Sequence, residues 1–251
     1  MKIVVCYKYI RDDNEITVNA DRSLNTENAA WVISPYDLNA IEAAMLLSKK
    51  CEAEVDVLTV SGEALENSKM KKAVLSRGPQ KLYGIKCAAC GDMYASAMLL
   101  KQGLERIGDV DLVICGEGSG DMYSQEMGCV LGALMNIPCL NAVSSLKYEE
   151  GSVVAERNNG ERIESFKISG PAVISVSSDI CLSHIPSLKE IMAAGKKPAE
   201  IWEEAEFSHS VSSSETVSVL APEKIERMNK VFKASDEDGL VSFADAIRKY
   251  M

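Results

Sequence analysis

Four short apolar runs, each followed by a segment with helical spacing, constrain the fold of this chain more than any other feature. The runs are continuous and rich in β-branched residues, as in strands that are buried on both faces of a sheet. They are KIVVCYKYI, AEVDVLTVSG, KLYGI and DLVIC. Strands that alternate with helices indicate parallel βαβ units. The sequence therefore predicts an α/β fold with a doubly wound, mainly parallel sheet and helices on both faces.

Boundary signals support the helices of this pattern. In SPYDLNAIEAAMLLSKK, Ser34 suits the N-cap, Pro35 suits the first helical position, and the charge of Asp37 lies near the helix N-terminus. The second helix is expected over EALENSKMKKAVLSRG and the third over DMYASAMLLKQGLERIG. The fourth helix is expected to begin at about Asp121 and to stop at Pro138.

The pattern changes after Pro138. Turn signals at Glu150-Gly151 and Asn159-Gly160 predict a small β-rich extension, and the second signal is typical of a hairpin. A short helix with a basic end is expected within PSLKEIMAAGKKP. The acidic, serine-rich stretch that follows indicates a linker, and GLVSFADAIRKYM has helical spacing. We predict one α/β domain over residues 1–202 and a linker with a C-terminal arm over residues 203–251. Because the arm has little core of its own, we expect it to dock on a partner subunit or, alternatively, on its own domain.

A glycine loop, CGEGSGDMYSQEMG, follows the fourth strand. Open parallel sheets bind ligands beyond the carboxyl ends of their strands. Three such ends, at Cys6 to Lys8, Ser61-Gly62 and Gly116 to Asp121, are therefore expected to converge on one crevice. The loop lacks the Gly-Lys-Ser/Thr of a P-loop and the glycine spacing of the dinucleotide fingerprint. Its residues favour either a phosphate site on the backbone amides from about Ser124 to Gly128 or a tight turn capped by Asp121.

Composition narrows the function classes. The formal charge of −10 argues against nucleic acid and anionic membranes as partners. No apolar stretch approaches the roughly 18 residues of a membrane helix, and the N-terminus does not resemble a signal peptide, so we expect a cytoplasmic protein with reduced thiols. The CAAC pair, Cys87 and Cys90, is interpreted as a loop. The chain has only two histidines and no second CxxC motif. The sequence therefore favours neither a metal site nor a catalytic triad.

Five blocks, in order over nearly the whole chain, resemble the β (small) subunit of electron transfer flavoproteins. They are KIVVCYKYIRDDNEI, ISPYDLNAIEAAMLL, VDVLTVSG, DLVICGEGSGDMYSQEMG and IPSLKEIMAAGKKP. The family forms are similar to VKxVPD, NPYDLNALE, GxQxxDGDTxQxG and YPSLKGIMKAKKK. Details such as YKYIRDD and VLSRGP resemble the FixA-like branch, which is associated with anaerobic acyl-CoA or carnitine-type metabolism.

This resemblance implies an adenine nucleotide alpha hydrolase-like fold and a role as an electron carrier rather than an enzyme. It implies a heterodimer with an α subunit that carries a redox-active FAD. The small subunit would hold AMP, or a second FAD in members that bifurcate electrons. The dimer would pass electrons between an acyl-CoA dehydrogenase-type partner and an acceptor.

The resemblance also implies which residues form the nucleotide site. Asp121 and Ser124 match the family's Asp and its phosphate-binding Thr, and Glu126 falls at the family's Gln. Because a glutamate beside phosphates is unfavourable, we expect Gln125 or backbone amides to make that contact. Ser34 stands where Asn is usual. The full set is Cys6, Ser34, Pro35, Tyr36, Asp37, Ser61, Gly62, Cys115, Gly116, Gly118, Ser119, Gly120, Asp121, Ser124, Gln125, Glu126 and Met127.

A partner contact is implied at Leu188, which matches a leucine that family members insert into a dehydrogenase pocket. The recognition loop would span about residues 182–198. Lys189, Lys196 and Lys197 are interpreted as solvated charges that could steer an acidic partner. The alternative for Leu188 is a helix residue packed on its own domain.

Two other functions stay open at the level of sequence. A stand-alone adenine-nucleotide sensor of the universal-stress-protein type would share the sheet, but it needs neither the β-rich extension nor the tail. An ATP-dependent ligase or a hydride-transfer dehydrogenase would need a phosphate lysine motif or a Rossmann fingerprint, and the chain has neither.

Overall fold

A nine-stranded sheet forms the body of the computed structural model, which describes residues 1–88, 92–208, 214, 216–227, 229–236 and 238–250. The strands are β1 (Lys2–Cys6), β2 (Tyr9–Arg11), β3 (Thr17–Val18), β4 (Leu24–Asn25), β5 (Trp31–Ile33), β6 (Glu54–Ser61), β7 (Leu82–Lys86), β8 (Leu112–Gly116), β9 (Cys139–Glu149), β10 (Ser152–Asn158), β11 (Ile163–Ile168), β12 (Ala172–Val176) and β13 (Ala199–Glu203). The α-helices are α1 (Pro35–Cys51), α2 (Ser68–Leu75), α3 (Met93–Ile107), α4 (Met127–Met135), α5 (Leu188–Ala194) and α6 (Gly239–Arg248).

The sheet has the order β11-β10-β9-β12-β8-β1-β6-β7-β13. Pairing is parallel from β9 to β13, whereas β10 is antiparallel to both β9 and β11. The chain builds outward from β1 through β6 and β7, and then returns to place β8 on the other side of β1. The prediction of a doubly wound, mainly parallel sheet is confirmed, and its order reverses between β1 and β8.

Two hydrophobic cores cover the two faces of the sheet. One contains Ile3 and Val5 of β1 and packs against α1 and α2. The other contains Val4 and packs against α3 and α4. Alternate residues of β1 thus enter opposite cores, and all three are fully buried. This explains why the strand is a continuous apolar run without polar alternation.

The β-rich extension continues the same sheet. A turn at Glu150 and Gly151, both with positive φ, joins β9 to β10. The predicted hairpin at Asn159-Gly160 is confirmed between β10 and β11. There the Asn159 side chain accepts hydrogen bonds from the backbone N–H groups of Glu161 and Arg162. Gly160 has a φ of +91°, which glycine adopts without a steric penalty.

Two helix predictions were wrong at their N-termini. The fourth helix begins at Met127 and not at about Asp121. Tyr123 and Gln125 have φ values of +45° and +60°, which no α-helix allows, and the Asp121 carboxylate is satisfied inside the loop. The second predicted helix is a 3-10 turn, Glu63–Leu65, followed by α2. Asn67 separates them because its side chain accepts from the N–H of Lys69 and caps α2.

The peripheral elements agree with the sequence pattern. The segment after β1 forms two small antiparallel pairs, β2 with β5 and β3 with β4. The predicted short helix near Leu188 is α5, and the helical spacing of the tail corresponds to α6. No helix among the described residues is long and apolar enough to cross a membrane.

Candidate functional site

A cavity of about 530 Å³ opens beyond the carboxyl ends of β1 and β8, where the strand order reverses. Its wall comes from the two strand ends, the glycine loop, the start of α4, the start of α3 and a piece of the C-terminal tail. Open α/β sheets bind ligands at such a reversal, and the volume suits a small organic ligand.

Ten of the residues implied for the nucleotide site line this cavity. They are Cys6, Asp37, Cys115, Gly116, Gly118, Ser119, Ser124, Gln125, Glu126 and Met127. The other seven do not form its wall: Ser34, Pro35, Tyr36, Ser61, Gly62, Gly120 and Asp121. Ser34 is completely buried, and its hydroxyl has no hydrogen-bond partner. Val60, one residue before Ser61, does line the cavity, so the second strand contributes slightly earlier than expected.

Asp37 is a buried carboxylate that joins three elements. Its Oδ2 accepts a 2.8 Å hydrogen bond from the backbone N–H of Lys8, just after β1. Its Oδ1 accepts from the backbone N–H of Gly116, the last residue of β8, at 3.2 Å. Desolvation by burial raises the pKa of Asp37 to about 7, although both backbone donors act in the opposite direction. The first turn of α1 thus holds the two strand ends at a fixed separation.

Gly116 has no room for a side chain. A Cβ at this position would lie 2.8 Å from Asp37 Oδ1 and 2.8 Å from both the carbonyl carbon and the Cβ of Tyr36. The first turn of α1 therefore approaches the end of β8 as closely as its backbone permits. The φ of Gly116 is not positive, so the backbone conformation alone would allow other residues. The close contact with α1 is what requires glycine here.

The loop between β8 and α4 is held by an ion pair. Lys8 Nζ lies 2.6 Å from Asp121 Oδ2, and the Ser119 hydroxyl donates to Asp121 Oδ1 at 2.5 Å. The hydrogen bonds from Lys8 and Ser119 outweigh burial and lower the pKa of Asp121. Asp121 is not part of the cavity wall, but it fixes the positions of Lys8 and Ser119, which are.

The start of α4 packs directly onto the sheet. A Cβ at Gly128 would lie 3.1 Å from Ser175 Cβ and 3.3 Å from Cys115 Sγ. Glu126 occupies the N-cap without a side-chain hydrogen bond to the helix. The first-turn N–H groups of a helix have no partner within it and carry a partial positive charge. They lie beside Ser124 and Met127 at the cavity wall, where an anion would be stabilised.

The cavity wall contains both polar and apolar residues. Lys8, Ser119 and Ser124 provide a cation and two hydroxyls, while Val60, Met93 and Leu100 provide aliphatic and thioether surface. Three carboxyl side chains besides Asp37 also belong to the wall: Asp92, Glu117 and Glu126. Within the described wall, Lys8 is the single lysine or arginine. A negatively charged ligand would therefore depend on Lys8 and backbone N–H groups.

Sequence reasoning missed the contribution of α3 and the tail. Asp92, Met93, Ser96 and Leu100 of the α3 region line the cavity, since β7 also ends at this edge of the sheet. The carboxyl end of β7 is recognisable in the sequence and could have predicted the contribution of α3. No sequence signal pointed to the tail.

Described residues of the tail contribute to the cavity wall. Thr216 and Val219 belong to the wall, and Ser214 bonds to Asp92 Oδ2 through its N–H at 2.9 Å and its hydroxyl at 3.0 Å. The backbone N–H of Ala221 then donates to the carbonyl of Arg22. The predicted linker is thus, in its described part, in contact with the body of the chain.

The cysteines of the wall are inert. Burial raises the pKa of Cys6 to about 12 and also raises the pKa of Cys115 well above the usual thiol range, so both thiols stay protonated. Of the CAAC pair, Cys87 is buried and disulfide-bonded, so the expectation of reduced thiols is wrong at this residue. Cys90 lies outside the described residues. Within the described ranges, no three His, Cys, Asp or Glu side chains are grouped so that they could hold a metal ion.

Comparison with known protein families identifies the family to which this chain belongs. The profile described as the electron transfer flavoprotein domain matches residues 22–207, well over half of the 251-residue chain. The chain belongs to the electron transfer flavoprotein family. Proteins of this family are electron carriers rather than enzymes, generally bind flavin or AMP, and generally pair with an α subunit.

In this electron transfer flavoprotein, Leu188 begins α5 and is 74% exposed. A capping box fixes the helix start, with Ser187 and Glu190 bonding to each other's backbone N–H. Hydrogen bonds from Ser187 lower the pKa of Glu190 to about 2. Leu182, Ile185 and Met192 are also exposed, so four large apolar side chains of this segment face solvent.

One expectation for this loop was wrong. Lys197 is not a solvated charge, because its Nζ donates to the carbonyls of Leu75, Gly78 and Pro79 at 2.7–2.9 Å. A lysine at the last carbonyls of a helix complements its partial negative charge. Arg77 also donates to the carbonyl of His184. The loop is therefore attached at both ends to the C-terminus of α2.

Proposed function

We propose that this chain is the small (β) subunit of a heterodimeric electron transfer flavoprotein and binds an adenine nucleotide, AMP or a second FAD, in the cavity between β1 and β8. Its α subunit would carry the redox-active FAD. The heterodimer would pass electrons between an acyl-CoA dehydrogenase-type partner and an acceptor. The family match supports the electron-carrier class, and the remaining statements are our inference.

The observation that carries the nucleotide proposal is the position of the cavity. It lies at the reversal of strand order, between Cys6 to Lys8 on one side and Cys115 to Ser119 on the other. The glycine loop and the start of α4 bring backbone N–H groups and the hydroxyls of Ser119 and Ser124 to the same place. These are the groups that bind phosphate oxygens in nucleotide sites of this architecture.

The apolar residues of the cavity wall suit the base of such a ligand. Val60, Met93 and Leu100 present surface on which a planar base can lie, and Met contacts aromatic rings favourably. FAD, when bound, supplies electron transfer through its flavin ring. AMP supplies no redox chemistry and would fill and stabilise the small subunit.

Charge at the wall makes Lys8 the central phosphate contact in this proposal. Its side chain is 46% exposed, and its ammonium is already paired with Asp121. A phosphate beside Glu117 and Glu126 would be repelled unless Lys8 turned toward it or those carboxylates pointed to solvent. We therefore expect Lys8 to share its hydrogen bonds between Asp121 and a bound phosphate.

The exposed surface around Leu188 is the proposed contact with the dehydrogenase. Burying one leucine side chain is worth roughly 1.5–3 kcal/mol, which suits a transient electron-transfer encounter. Lys189 and Lys196 lie beside it on the exposed side of the loop and would attract an acidic partner.

Quantifying the nucleotides of the purified heterodimer tests the proposal. The chain is co-expressed with its α subunit, and FAD and AMP are measured after acid extraction. One FAD with one AMP, or two FAD, is the expected result, and the second composition indicates a site capable of electron bifurcation. A heterodimer with one FAD and no further adenine nucleotide, or a chain that does not bind the α subunit, would contradict it.

A further inference from the structure

The docking segment, residues 181–197, is tied to the rest of the fold near its start. The Asn39 side chain of α1 donates a 2.6 Å hydrogen bond to the carbonyl of Cys181. The guanidinium of Arg77, two residues beyond α2, donates to the carbonyl of His184. Both bonds are made to backbone carbonyls, so they restrict the path of the segment itself.

Lys197 ties the other end of the docking segment. Its ammonium donates to the carbonyls of Leu75, Gly78 and Pro79, at 2.9, 2.9 and 2.7 Å. A lysine ammonium has three N–H donors, so these three carbonyls use its full capacity. Burial lowers the pKa of Lys197, as expected for a cation that is partly withdrawn from solvent.

The helix between these two ends, α5, is packed onto the body of the chain. Ala194 in its last turn is 2% exposed and belongs to the hydrophobic core. A Cβ at Gly195 would lie 3.3 Å from Lys72 Cε of α2, so the end of α5 lies against that helix. The exposed apolar side chains of the segment therefore project from a backbone that is held on both sides of Leu188.

We propose that Lys197 and Arg77 are positioning residues, which hold the docking segment in its partner-binding conformation before the dehydrogenase arrives; this role rests on the proposed function, in which Leu188 contacts that enzyme. Both residues act through the backbone carbonyls that they bind. Apparent affinity falls in proportion to the fraction of molecules in the binding-competent conformation. A segment that is ordered beforehand also avoids the entropy cost of ordering during the encounter.

The position of Lys197 can be separated from its charge, because Lys196 is the next residue and is exposed. An exposed cation attracts a partner over a distance, and salt screens that attraction. Hydrogen bonds from a partly buried ammonium are screened much less. The two adjacent lysines should therefore differ in how their replacement responds to ionic strength.

Hydrogen exchange of the purified heterodimer tests the positioning without any dehydrogenase. In Lys197→Met, which keeps the apolar stem, the amides of α5 should exchange at least about tenfold faster, because the segment opens locally more often. Arg77→Met, at the other attachment, is a second variant in which we expect faster exchange of the docking segment. Lys196→Met should exchange as the unmodified chain does. Equal exchange of α5 in the two lysine variants would overturn the proposal.

Steady-state kinetics test what the positioning does. The electron donor is an acyl-CoA dehydrogenase that reduces the unmodified heterodimer, and the heterodimer is the varied substrate. We expect Lys197→Met to raise its KM at least about tenfold at both low and high ionic strength, with kcat and the FAD and AMP content unchanged. Lys196→Met should raise the KM at low ionic strength alone. Lys49→Met, at an exposed position of α1, is the neutral control.

The outcomes distinguish this role from the docking surface itself. A KM effect of Lys197→Met that disappears with salt, or a fall in kcat with unchanged KM, would overturn the positioning role. If Leu188→Ala raises the KM and Lys197→Met does not, the docking surface stands and the positioning role is wrong. If Leu188→Ala leaves the KM unchanged, the docking surface is contradicted and the positioning role with it.

Discussion

The carboxylate of Asp37 accepts a 2.8 Å hydrogen bond from the backbone N–H of Lys8, across the crevice between α1 and the end of β1. The second oxygen of the same carboxylate accepts from Gly116. One buried side chain thereby positions both strand ends that frame the candidate nucleotide site. It does so while lining the cavity, so its charge also affects a bound ligand.

Replacing Asp37 with Asn should change how stability depends on pH. The unfolded carboxyl loses its proton near pH 3.9, whereas the folded one, with a pKa of about 7, keeps it longer. Between these values the folded state holds more protons, so the contribution of Asp37 to stability falls as the pH rises. The free energy of unfolding of the unmodified chain, relative to Asp37→Asn, should fall by at most about 4 kcal/mol from pH 4 to 8.

Urea unfolding at several pH values measures this difference. Asp37→Asn also leaves one backbone N–H facing an amide N–H, which costs about 1–3 kcal/mol at every pH and does not alter the trend. Glu27→Gln, at an exposed carboxylate, is the control and should show no such trend. A relative stability that rises with pH would contradict this assignment.

Substituting Ala for Gly116 should damage both stability and nucleotide binding. The added Cβ would meet the Tyr36 backbone and Asp37 Oδ1 at 2.8 Å, and the backbone cannot move aside as a flexible side chain would. We expect a loss of about 1–3 kcal/mol in the free energy of unfolding. Gly170→Ala is the matched control, since nothing lies within 4 Å of its Cβ position. Equal melting temperatures for the two variants would show that the close approach is not required.

Exchanging Lys8 for Met should weaken nucleotide binding more than stability. The methionine keeps the apolar stem but removes the cation of the wall and its ion pair with Asp121. Both side chains of that pair are in contact with solvent, so the pair is worth at most about 1 kcal/mol. We expect affinity for AMP to fall about tenfold or more, as for loss of a charge-assisted hydrogen bond. Isothermal titration calorimetry measures this, with Lys49→Met at an exposed position of α1 as control. Unchanged affinity would remove Lys8 from the phosphate site.

Truncating Leu188 to Ala should impair electron transfer from the dehydrogenase without affecting nucleotide content. Loss of a buried leucine contact of roughly 1.5–3 kcal/mol corresponds to about a 10- to 150-fold rise in the KM for the electron transfer flavoprotein. Ile163→Ala, at a 71% exposed position on the hairpin, is the control. Equal KM values for the two variants would place the partner surface elsewhere.

The sheet could be predicted from the sequence because its strands are buried on both faces. Such strands are continuous apolar runs, and Ile3, Val4 and Val5 show why, since neighbouring residues enter opposite cores. The turn at Asn159-Gly160 was predictable for a similarly local reason. Local chemistry was enough wherever one residue type determines the backbone conformation.

The loop and the tail could not be predicted in the same way. Asp121 reads as a helix cap in sequence, but its carboxylate is used by Lys8, which is distant in the chain and adjacent only after β1 and β8 have paired. Lys197 reads as a surface charge and instead binds the carbonyls that end α2. The position of Val219 at the cavity depends on contacts between distant parts of the chain, for which the linker carries no periodic signal.

A crystal structure of the purified heterodimer with excess AMP tests the central claim most directly. We predict density for one nucleotide at the ends of β1 and β8, with its phosphate beside Ser119, Ser124 and the first turn of α4, and its base toward Val60 and Leu100. A cavity that remains without nucleotide at saturating concentration, or that is filled by the chain's own side chains, would contradict the account.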